Sequence, residues 1–384
     1  METSRALSPR KKALYGVTAS AIFLVLAEVV FRVVVAGTSD RLPRMIDDYR
    51  QRYYSQLDKE LDYRPHPYFG YVRRDKGAAD QINSLGFWGE EWSLTKPKNT
   101  VRVVTLGGST TAGPTAWPYQ LEVLLNSMLT DVQVEVQNLG IGGWTSAEAL
   151  AAFAMVGVSH RPDLVIVHCV NNDMEPMRAM DPRVDYSHYR RAMDVLQTNK
   201  GTATFKRDTA DSLDALAAGW SDLYVYAKLF QFGPIPRRAS LHQLTTWTPP
   251  TQPEPSQLGI DIFERNLRSI AAIAEANGAA MMLTSMPALQ RSRPGIPAVP
   301  DGHLRSLDAQ NRRIEALASG QGWLFADLAA LSEDLEPFYE DAIHVNARGE
   351  KMKAEGIAVE LEAAQFFEKE GLPPSPAMPS QELP

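Results

Sequence analysis

The chain has 384 residues, with 39 Lys or Arg against 46 Asp or Glu, and its formal charge at pH 7 is −7. Hydrophobic residues make up 44% and charged residues 22%, which are ordinary globular values and exclude a wholly disordered protein. The acidic balance argues against a nucleic-acid partner, because proteins that bind nucleic acids usually present a basic surface. The single cysteine, Cys169, excludes an intrachain disulfide and a zinc site built from several thiolates.

The first predicted element is an apolar helix over Ala13–Ala36. Its length of about 36 Å is enough to cross a hydrocarbon core of about 30 Å. Glu28 and Arg32 interrupt it four residues apart, so they can pair on one helical face. Basic residues dominate residues 1–12, which predicts a cytoplasmic N-terminus and places the rest of the chain in the periplasm or outside the cell.

We therefore predict a single-pass membrane anchor over residues 13–36. Two alternatives stay open: a signal peptide cleaved after Val34-Val35-Ala36, and a buried helix of a soluble protein. Both the anchor and the signal peptide place the following chain outside the cytoplasm. Residues 37–98, which are polar and rich in aromatic residues, are predicted to form a membrane-proximal stalk and a lead-in to the main domain.

From Val101 onward, short apolar strands alternate with helices. This pattern predicts an α/β fold with a doubly wound, mostly parallel five-stranded sheet and helices on both faces. The predicted catalytic domain covers residues 99–371, with an insertion over about 174–257 that could form a lid, and a disordered Pro-rich tail over 372–384. The predicted strands are Val101–Leu106, Val132–Leu139, Asp163–Val170, Ala279–Ser285 and Trp323–Asp327, and the predicted helices are Tyr119–Leu129, Ala147–Val156, Ile260–Ala276, Leu304–Ser319 and Gly349–Glu370.

Unusual residues follow three of the predicted strands, at the sheet edge where ligands of such folds bind. The first strand ends in GGSTT over residues 107–111, which sets Ser109 on a glycine-hinged turn. The second ends in NLGIGG over 138–143, and the third in NND over 171–173. Far downstream, DAIH over 341–344 places a carboxylate three residues before a histidine, where it can fix the ring tautomer that accepts a proton from a serine.

In this order, the four segments resemble the four sequence blocks of the SGNH family, also called GDSL-type hydrolases. The stretch NSLGF over residues 83–87 also resembles the lead-in of membrane-anchored bacterial members. The resemblance covers about residues 83–358 and implies a flavodoxin-like SGNH hydrolase fold that needs no cofactor and no metal. It implies a catalytic triad of Ser109 as nucleophile, His344 as general base and Asp341 as its orienting carboxylate, with an oxyanion hole formed by the N–H groups of Ser109 and Gly143 and the side chain of Asn172.

Two positions depart from the family pattern. The first block reads Gly-Gly-Ser-Thr instead of Gly-Asp-Ser-Leu, and Val170 stands where the third block commonly has glycine. A bulkier Val170 affects the expected substrate size more than the chemistry. Trp117 and Trp144 flank the first two blocks and are candidate platforms on which a sugar or an acyl group could stack.

The leading hypothesis is a serine esterase that cleaves a small acyl ester, such as an acetyl ester, outside the cytoplasm and through an acyl-enzyme. The substrate could be an acylated envelope or exported polysaccharide; this expectation rests on location and family analogy. One alternative is an O-acyltransferase that passes the acyl group to a sugar hydroxyl. Another is a catalytically inactive envelope scaffold or glycan-binding module. The sequence does not determine the oligomeric state.

Overall fold

The structure is a computed structural model that describes residues 8–37, 42–47, 49–50, 63–74, 81–169, 171–190, 196–199, 202–205, 209–232 and 249–369. The chain forms two compact units. One consists of Met1–Leu61 and Phe205–Leu241, and the other of Asp62–Thr204 and His242–Pro384. The predicted insertion over 174–257 is therefore divided between the two units. The predicted tail over 372–384 lies outside the described residues.

The secondary structure after Val101 matches the sequence-based prediction within a few residues at each end. One helix differs, because the predicted Gly349–Glu370 is broken at Gln365, whose φ of 54° is incompatible with a continuous helix. The elements are α1 (Pro9–Ala36), β1 (Tyr63–His66), β2 (Gly70–Arg73), β3 (Thr100–Gly107), α2 (Trp117–Met128), β4 (Gln133–Asn138), α3 (Ser146–Met155), β5 (Leu164–His168), α4 (Met174–Met177), β6 (Leu196–Asn199), β7 (Thr202–Phe205), α5 (Thr209–Trp220), α6 (Asp222–Phe232), α7 (Gln257–Ala276), β8 (Ala280–Thr284), α8 (Asp301–Gln321), β9 (Leu324–Ala326), α9 (Ala347–Ala363) and α10 (Phe366–Lys369).

The larger unit is built on a five-stranded sheet with the order β4-β3-β5-β8-β9, and all its strands are parallel. The chain starts at β3, steps outward to β4, and then crosses back to β5 on the other side of β3. This reversal of direction between β3 and β5 is the topological switch point, beyond whose carboxyl ends ligands bind in such sheets. The predicted doubly wound five-stranded sheet is confirmed.

Apolar side chains of the strands pack against helices on both faces of the sheet. On one face, α2 and α9 cover alternate strand residues, among them Val103, Ile166 and Met282. Since side chains alternate along a strand, Val104 and Val165 point to the other face, where α3, α7 and α8 pack. The strands are buried along most of their length, as expected for a parallel sheet with both faces covered. The sheet is thus a rigid base for the loops at its carboxyl edge.

The smaller unit combines α1 with the helical hairpin of α5 and α6. Its apolar core consists of Val35, Ile46, Tyr49, Ala218, Val225 and Leu229. Glu28 and Arg32 pair as predicted, with 2.7 Å between Oε1 and Nε. Among the described residues, α1 is the one helix whose length and composition would allow it to cross a membrane.

Candidate active site

Ser109 lies in the turn that follows β3, at the carboxyl edge of the sheet. The N–H groups of Thr111 and Ala112 both donate to the carbonyl oxygen of Gly108, at 3.1 Å each, and so close the turn around the serine. The next helix, α2, begins only at Trp117. Ser109 is therefore held by a tight turn at the end of a buried strand, with its side chain half-buried.

The loop between β9 and α9 brings a histidine to this serine. His344 Nε2 lies 2.7 Å from Ser109 Oγ, across a separation of 235 residues. His344 Nδ1 lies 2.7 Å from Asp341 Oδ2. The three side chains thus form one continuous chain of hydrogen bonds from the carboxylate to the serine hydroxyl.

The carboxylate of Asp341 is fixed by its own loop as well as by the imidazole. Its Oδ1 accepts hydrogen bonds from the backbone N–H groups of Ile343, at 2.9 Å, and His344, at 2.8 Å. Burial acts to raise the pKa of this carboxyl group, but the hydrogen bonds from the imidazole and the two N–H groups outweigh it and lower the pKa to about 2. Asp341 is therefore ionised at neutral pH and accepts a hydrogen bond from Nδ1.

The glycine-rich loop after β4 passes close to Ser109. A Cβ atom on Gly142 would lie 3.9 Å from the Cβ of Ser109. Gly143 has a φ of 82°, a left-handed conformation that favours glycine. Two side chains hold this loop by its carbonyl groups: the Tyr71 hydroxyl donates to Gly142 O at 2.8 Å, and Arg190 Nη2 donates to Gly143 O at 2.7 Å. The peptide between Gly142 and Gly143 is thereby fixed beside the serine.

Asn172 reaches the same place from the 3₁₀ turn Asn171–Asp173, which follows β5. Its Nδ2 donates to the carbonyl oxygen of Trp144 at 2.8 Å, which uses one of its two N–H groups. A Cβ atom on Gly108 would lie only 2.3 Å from this Nδ2, so any other residue at this position would displace the amide of Asn172. Val170, the expected departure from the family pattern, lies outside the described residues.

Asp173, next in the chain, anchors this turn in the protein interior. It is fully buried and accepts hydrogen bonds from the Ser146 hydroxyl at 2.7 Å, the Ser146 N–H at 2.8 Å and the Tyr186 hydroxyl at 2.6 Å. Burial raises the pKa of Asp173 to about 7, although these hydrogen bonds act to lower it. The group ties the N-terminus of α3 to the turn that carries Asn172.

Comparison with known proteins identifies the family. The family model described as GDSL-like lipase/acylhydrolase matches residues 105–352, about two thirds of the chain. The chain belongs to this family. This protein is therefore a GDSL-type (SGNH) hydrolase with the fold of that family, and Ser109 and His344 lie inside the matched region. No match was found among curated proteins.

Several solved structures are similar to this hydrolase at low sequence identity. An acetylxylan esterase, Axe2 from Geobacillus stearothermophilus, is 15% identical over 69% of this chain and 96% of its own, with a TM-score of 0.41. A lipolytic protein of the G-D-S-L family from Desulfitobacterium hafniense is 14% identical over 68% of this chain and 99% of its own, with a TM-score of 0.38. A GDSL-like lipase from Bacteroides thetaiotaomicron is 17% identical over 72% of this chain and 92% of its own, also with a TM-score of 0.38.

The structure brings Ser109, His344 and Asp341 together, but it does not expose the two tryptophans proposed as stacking platforms. Trp117 is 0% exposed and belongs to the core between the sheet and α9, and Trp144 is 1% exposed. The indole N–H of Trp144 donates to Tyr71 O at 3.2 Å. The expectation for both rings is wrong for the same reason, because neither presents a face on which a substrate could stack.

Two residues that hold the hydrolase's glycine loop were missed in the sequence. Tyr71 belongs to the region interpreted as stalk and lead-in, and Arg190 to the insertion. Arg190 also pairs with Glu148, whose carboxylate forms the capping box at the start of α3. No local pattern marks either residue, because each acts on a loop that lies far away in the chain.

Proposed function

We propose that this GDSL-type hydrolase is a serine esterase in which Ser109, His344 and Asp341 form the catalytic triad. The observation that carries the proposal is the unbroken hydrogen-bonded chain with 2.7 Å at each of its two links. Donation from Nδ1–H to the ionised Asp341 leaves the lone pair of Nε2 directed at the serine hydroxyl. This tautomer is the one that a general base requires.

In the acylation step, Ser109 Oγ attacks the carbonyl carbon of the ester. The hydroxyl proton passes to His344 Nε2, and Asp341 stabilises the resulting imidazolium. When the tetrahedral intermediate collapses, the bond from carbon to the alcohol oxygen breaks. The imidazolium returns its proton to that oxygen, the alcohol leaves, and the acyl group stays on Ser109.

The negative charge of the tetrahedral intermediate needs donors that are already in place. We assign this role to the N–H groups of Ser109 and Gly143 and to the second N–H of Asn172 Nδ2. The support is the rigid hold on these groups: Gly142 and Gly143 are fixed through their carbonyl groups, and Asn172 is fixed through Trp144 O. A fixed donor set costs little reorganisation when the charge develops.

Deacylation uses the same groups with water as the nucleophile. His344 Nε2 takes a proton from the water as the oxygen attacks the acyl carbon. The second tetrahedral intermediate then collapses, the bond to Ser109 Oγ breaks, and the imidazolium returns a proton to the serine. The products are the alcohol and a carboxylic acid.

We propose a short acyl group, such as acetyl, on a sugar hydroxyl of an envelope or exported polysaccharide. The groups beside the serine are His344, Gly142 and, next to Gly108, the amide of Asn172. The Tyr63 hydroxyl would lie 3.1 Å from a Cβ on Gly142. A long acyl chain needs an apolar channel, whereas these polar and glycine surroundings suit a short group.

We also propose that α1 is a retained membrane anchor and that the catalytic unit lies outside the cytoplasm. The basic residues ahead of α1 support this orientation. Retention is supported by the burial of two residues of α1 in the smaller unit, because Glu28 is only 4% and Val35 only 6% exposed. Cleavage after Ala36 would remove both side chains from their partners in the hairpin of α5 and α6.

The decisive experiment is labelling of the full chain in detergent with a serine-reactive phosphonate, followed by peptide mapping. We expect the label on Ser109 and loss of hydrolysis of a short-chain aryl ester in Ser109→Ala, with Ser84→Ala as an active control. A label on another serine, or equal rates for wild type and Ser109→Ala, would overturn the assignment.

A second experiment separates hydrolysis from acyl transfer by analysing the products with and without an acceptor glycan. New acyl-glycan would assign an acyltransferase.

A further inference from the structure

The hairpin of α5 and α6 exposes large apolar side chains along one side of each helix. On α5, Leu213, Leu216 and Trp220 follow the spacing of a single face, and Leu216 is 72% exposed. On α6, Tyr226 and Phe230 stand four residues apart, and Phe230 is 84% exposed. Gln231 is the one polar side chain among the exposed residues of this hairpin that the structure describes.

The charged side chains of the hairpin that the structure describes, Asp214, Asp222 and Lys228, are paired within the smaller unit instead. Asp214 accepts from Lys228 at 2.7 Å and from the Tyr224 hydroxyl. Asp222 pairs with Arg32 and with Arg50. Exposed apolar side chains beside charged groups that pair with one another are the reverse of the pattern on a helix that faces water.

The turn between α5 and α6 is held by Glu28 and Arg32, in the last third of the apolar helix α1. The carboxylate of Glu28 accepts from the Ser221 hydroxyl at 2.6 Å and from the N–H groups of Asp222 at 2.7 Å and Leu223 at 3.2 Å. Arg32 donates to the carbonyl oxygen of Trp220. Polar backbone groups at the turn are therefore satisfied by α1, which is what a surrounding of lipid would require.

The position of Glu28 along α1 sets the depth of this turn. Fifteen residues separate Ala13 from Glu28, a rise of about 22 Å, which is less than the hydrocarbon thickness of about 30 Å. From the turn, α6 follows α1 toward Ala36, with Phe31 against Tyr226 at 5.2 Å between ring centroids and Val35 in the same apolar core as Val225.

We infer that the hairpin of α5 and α6 is a lipid-binding element. It enters the leaflet on the Ala36 side of α1, where lipid acyl chains cover the exposed apolar face of the hairpin. The inference rests on the proposed retention of α1 and is independent of the proposed chemistry. Lipid is the occupant because the exposed face lies beside α1, whose own outward residues Val30 and Val33 are 61% and 69% exposed. A hairpin at the same depth in the membrane as α1 is surrounded by the same acyl chains as α1.

The experiment uses the full chain in vesicles of phosphatidylethanolamine and phosphatidylglycerol. In a Cys169→Ala background, Leu216→Cys and Phe230→Cys each carry a nitroxide label. Val359→Cys on α9 is the matched control, since Val359 is an apolar residue of the larger unit that is 47% exposed. Collision of each label with oxygen, which concentrates in lipid, is compared with collision with a water-soluble nickel complex. Intact mass confirms that α1 is present, and hydrolysis of an aryl ester confirms that the variants fold.

We expect oxygen collisions to exceed nickel collisions several-fold at positions 216 and 230, and the reverse at 359. Nickel accessibility at 216 and 230 equal to that at 359 would overturn the inference, because the hairpin would then lie in water. Spin–spin broadening at 230 that disappears on dilution with unlabelled chain would also overturn it, in favour of a second copy as the occupant. An intact mass showing that the residues before Gly37 have been lost would also overturn the inference, because the inference rests on α1. Loss of esterase activity in every sample, wild type included, would count against the proposed function and not against lipid contact.

Discussion

The Tyr71 hydroxyl donates a hydrogen bond of 2.8 Å to the carbonyl oxygen of Gly142. This carbonyl shares a peptide group with the N–H of Gly143, the proposed oxyanion donor. A hydrogen bond to the oxygen of a peptide group both orients that group and strengthens its N–H as a donor. We therefore propose Tyr71, which touches no reacting atom, as a positioning residue for the proposed oxyanion hole.

We expect Tyr71→Phe to lower kcat by about 3- to 10-fold, because the lost hydrogen bond is worth about 0.5–1.5 kcal/mol. The effect should fall on kcat with KM nearly unchanged, since the donor acts in the transition state. Tyr68→Phe is the matched control, because Tyr68 lies in the turn between the antiparallel strands β1 and β2 and its side chain is 65% exposed. Steady-state kinetics with an aryl acetate measure both constants. A change confined to KM, or an equal loss in both variants, would contradict the role given to Tyr71.

Gly108 allows the side chain of Asn172 to lie against the turn that carries Ser109. In Gly108→Ala the new Cβ would stand 2.3 Å from Asn172 Nδ2 and 3.2 Å from Trp144 O, so the amide must move. We expect kcat to fall by up to about 1000-fold if the oxyanion donor is lost, and by about 10-fold if it is partly retained.

The control for this substitution is Gly320→Ala in α8, where, apart from the neighbouring residues and the backbone of the helix itself, no atom lies within 4 Å of the added Cβ. It should leave kcat unchanged and raise the free energy of unfolding by about 0.5–1 kcal/mol, since alanine is the better helix former. Kinetics and urea unfolding of both variants test the pair. Full activity of Gly108→Ala would show that Asn172 is not needed where the structure places it.

Asp341→Asn tests whether the carboxylate fixes the tautomer of His344. An amide nitrogen at this position donates to Nδ1, so the proton of the neutral ring moves to Nε2 and the base is lost. We expect kcat to fall by about 100- to 10,000-fold. Because the pKa of Asp341 is about 2, the wild-type rate should show no ionisation of this carboxylate on the acid side above about pH 4.

Glu340→Gln provides the neighbouring control, because Glu340 is exposed and the hydrogen bond that it donates to His344 O comes from its backbone N–H, which the substitution keeps. The pH profile of kcat/KM for wild type and both variants supplies the measurement. Asp341→Asn that retains wild-type activity would remove the carboxylate from the proposed mechanism.

The four blocks of the site could be predicted because each is a local pattern, and the first three lie directly after a strand. Ser109 follows a β-branched run and two glycines, and Asp341 lies three residues before His344. A parallel sheet gathers the strand ends that carry the first three blocks at one edge, and the loop between β9 and α9 then brings His344 to Ser109. The same reasoning predicted the five strands, whose apolar runs are continuous.

Contacts between distant segments could not be predicted in this way. Tyr71 and Arg190 act on Gly142 and Gly143 through single hydrogen bonds, which leave no periodic signal in the chain. The burial of Trp144 under Phe69 and Phe87 was missed for the same reason, because position beside a block does not reveal which way a ring points. The association of α1 with the hairpin inside the insertion likewise depends on partners almost 200 residues apart.

We expect Asp173 to make the stability of the hydrolase depend on pH. Its pKa is raised to about 7 in the folded chain, mainly by burial, whereas an aspartate in an unfolded chain has a pKa of about 4. Between these values the folded state binds more protons than the unfolded state. The contribution of this group to the free energy of unfolding is therefore complete below about pH 4 and is lost as pH rises through 7, by at most about 1.4 kcal/mol per pH unit.

In Asp173→Asn this contribution is absent, whatever constant offset the amide adds through its altered hydrogen bonds to Ser146 and Tyr186. We expect the stability of the wild type relative to this variant to fall as pH rises from about 4 to 7. Urea unfolding of both proteins at the two ends of the window measures the difference. Asp181→Asn, which removes an exposed carboxylate from the same segment, is the control. Parallel pH dependence of the wild type and Asp173→Asn would mean that Asp173 does not take up a proton in this range, and its carboxylate would then stay ionised beside the turn that carries Asn172.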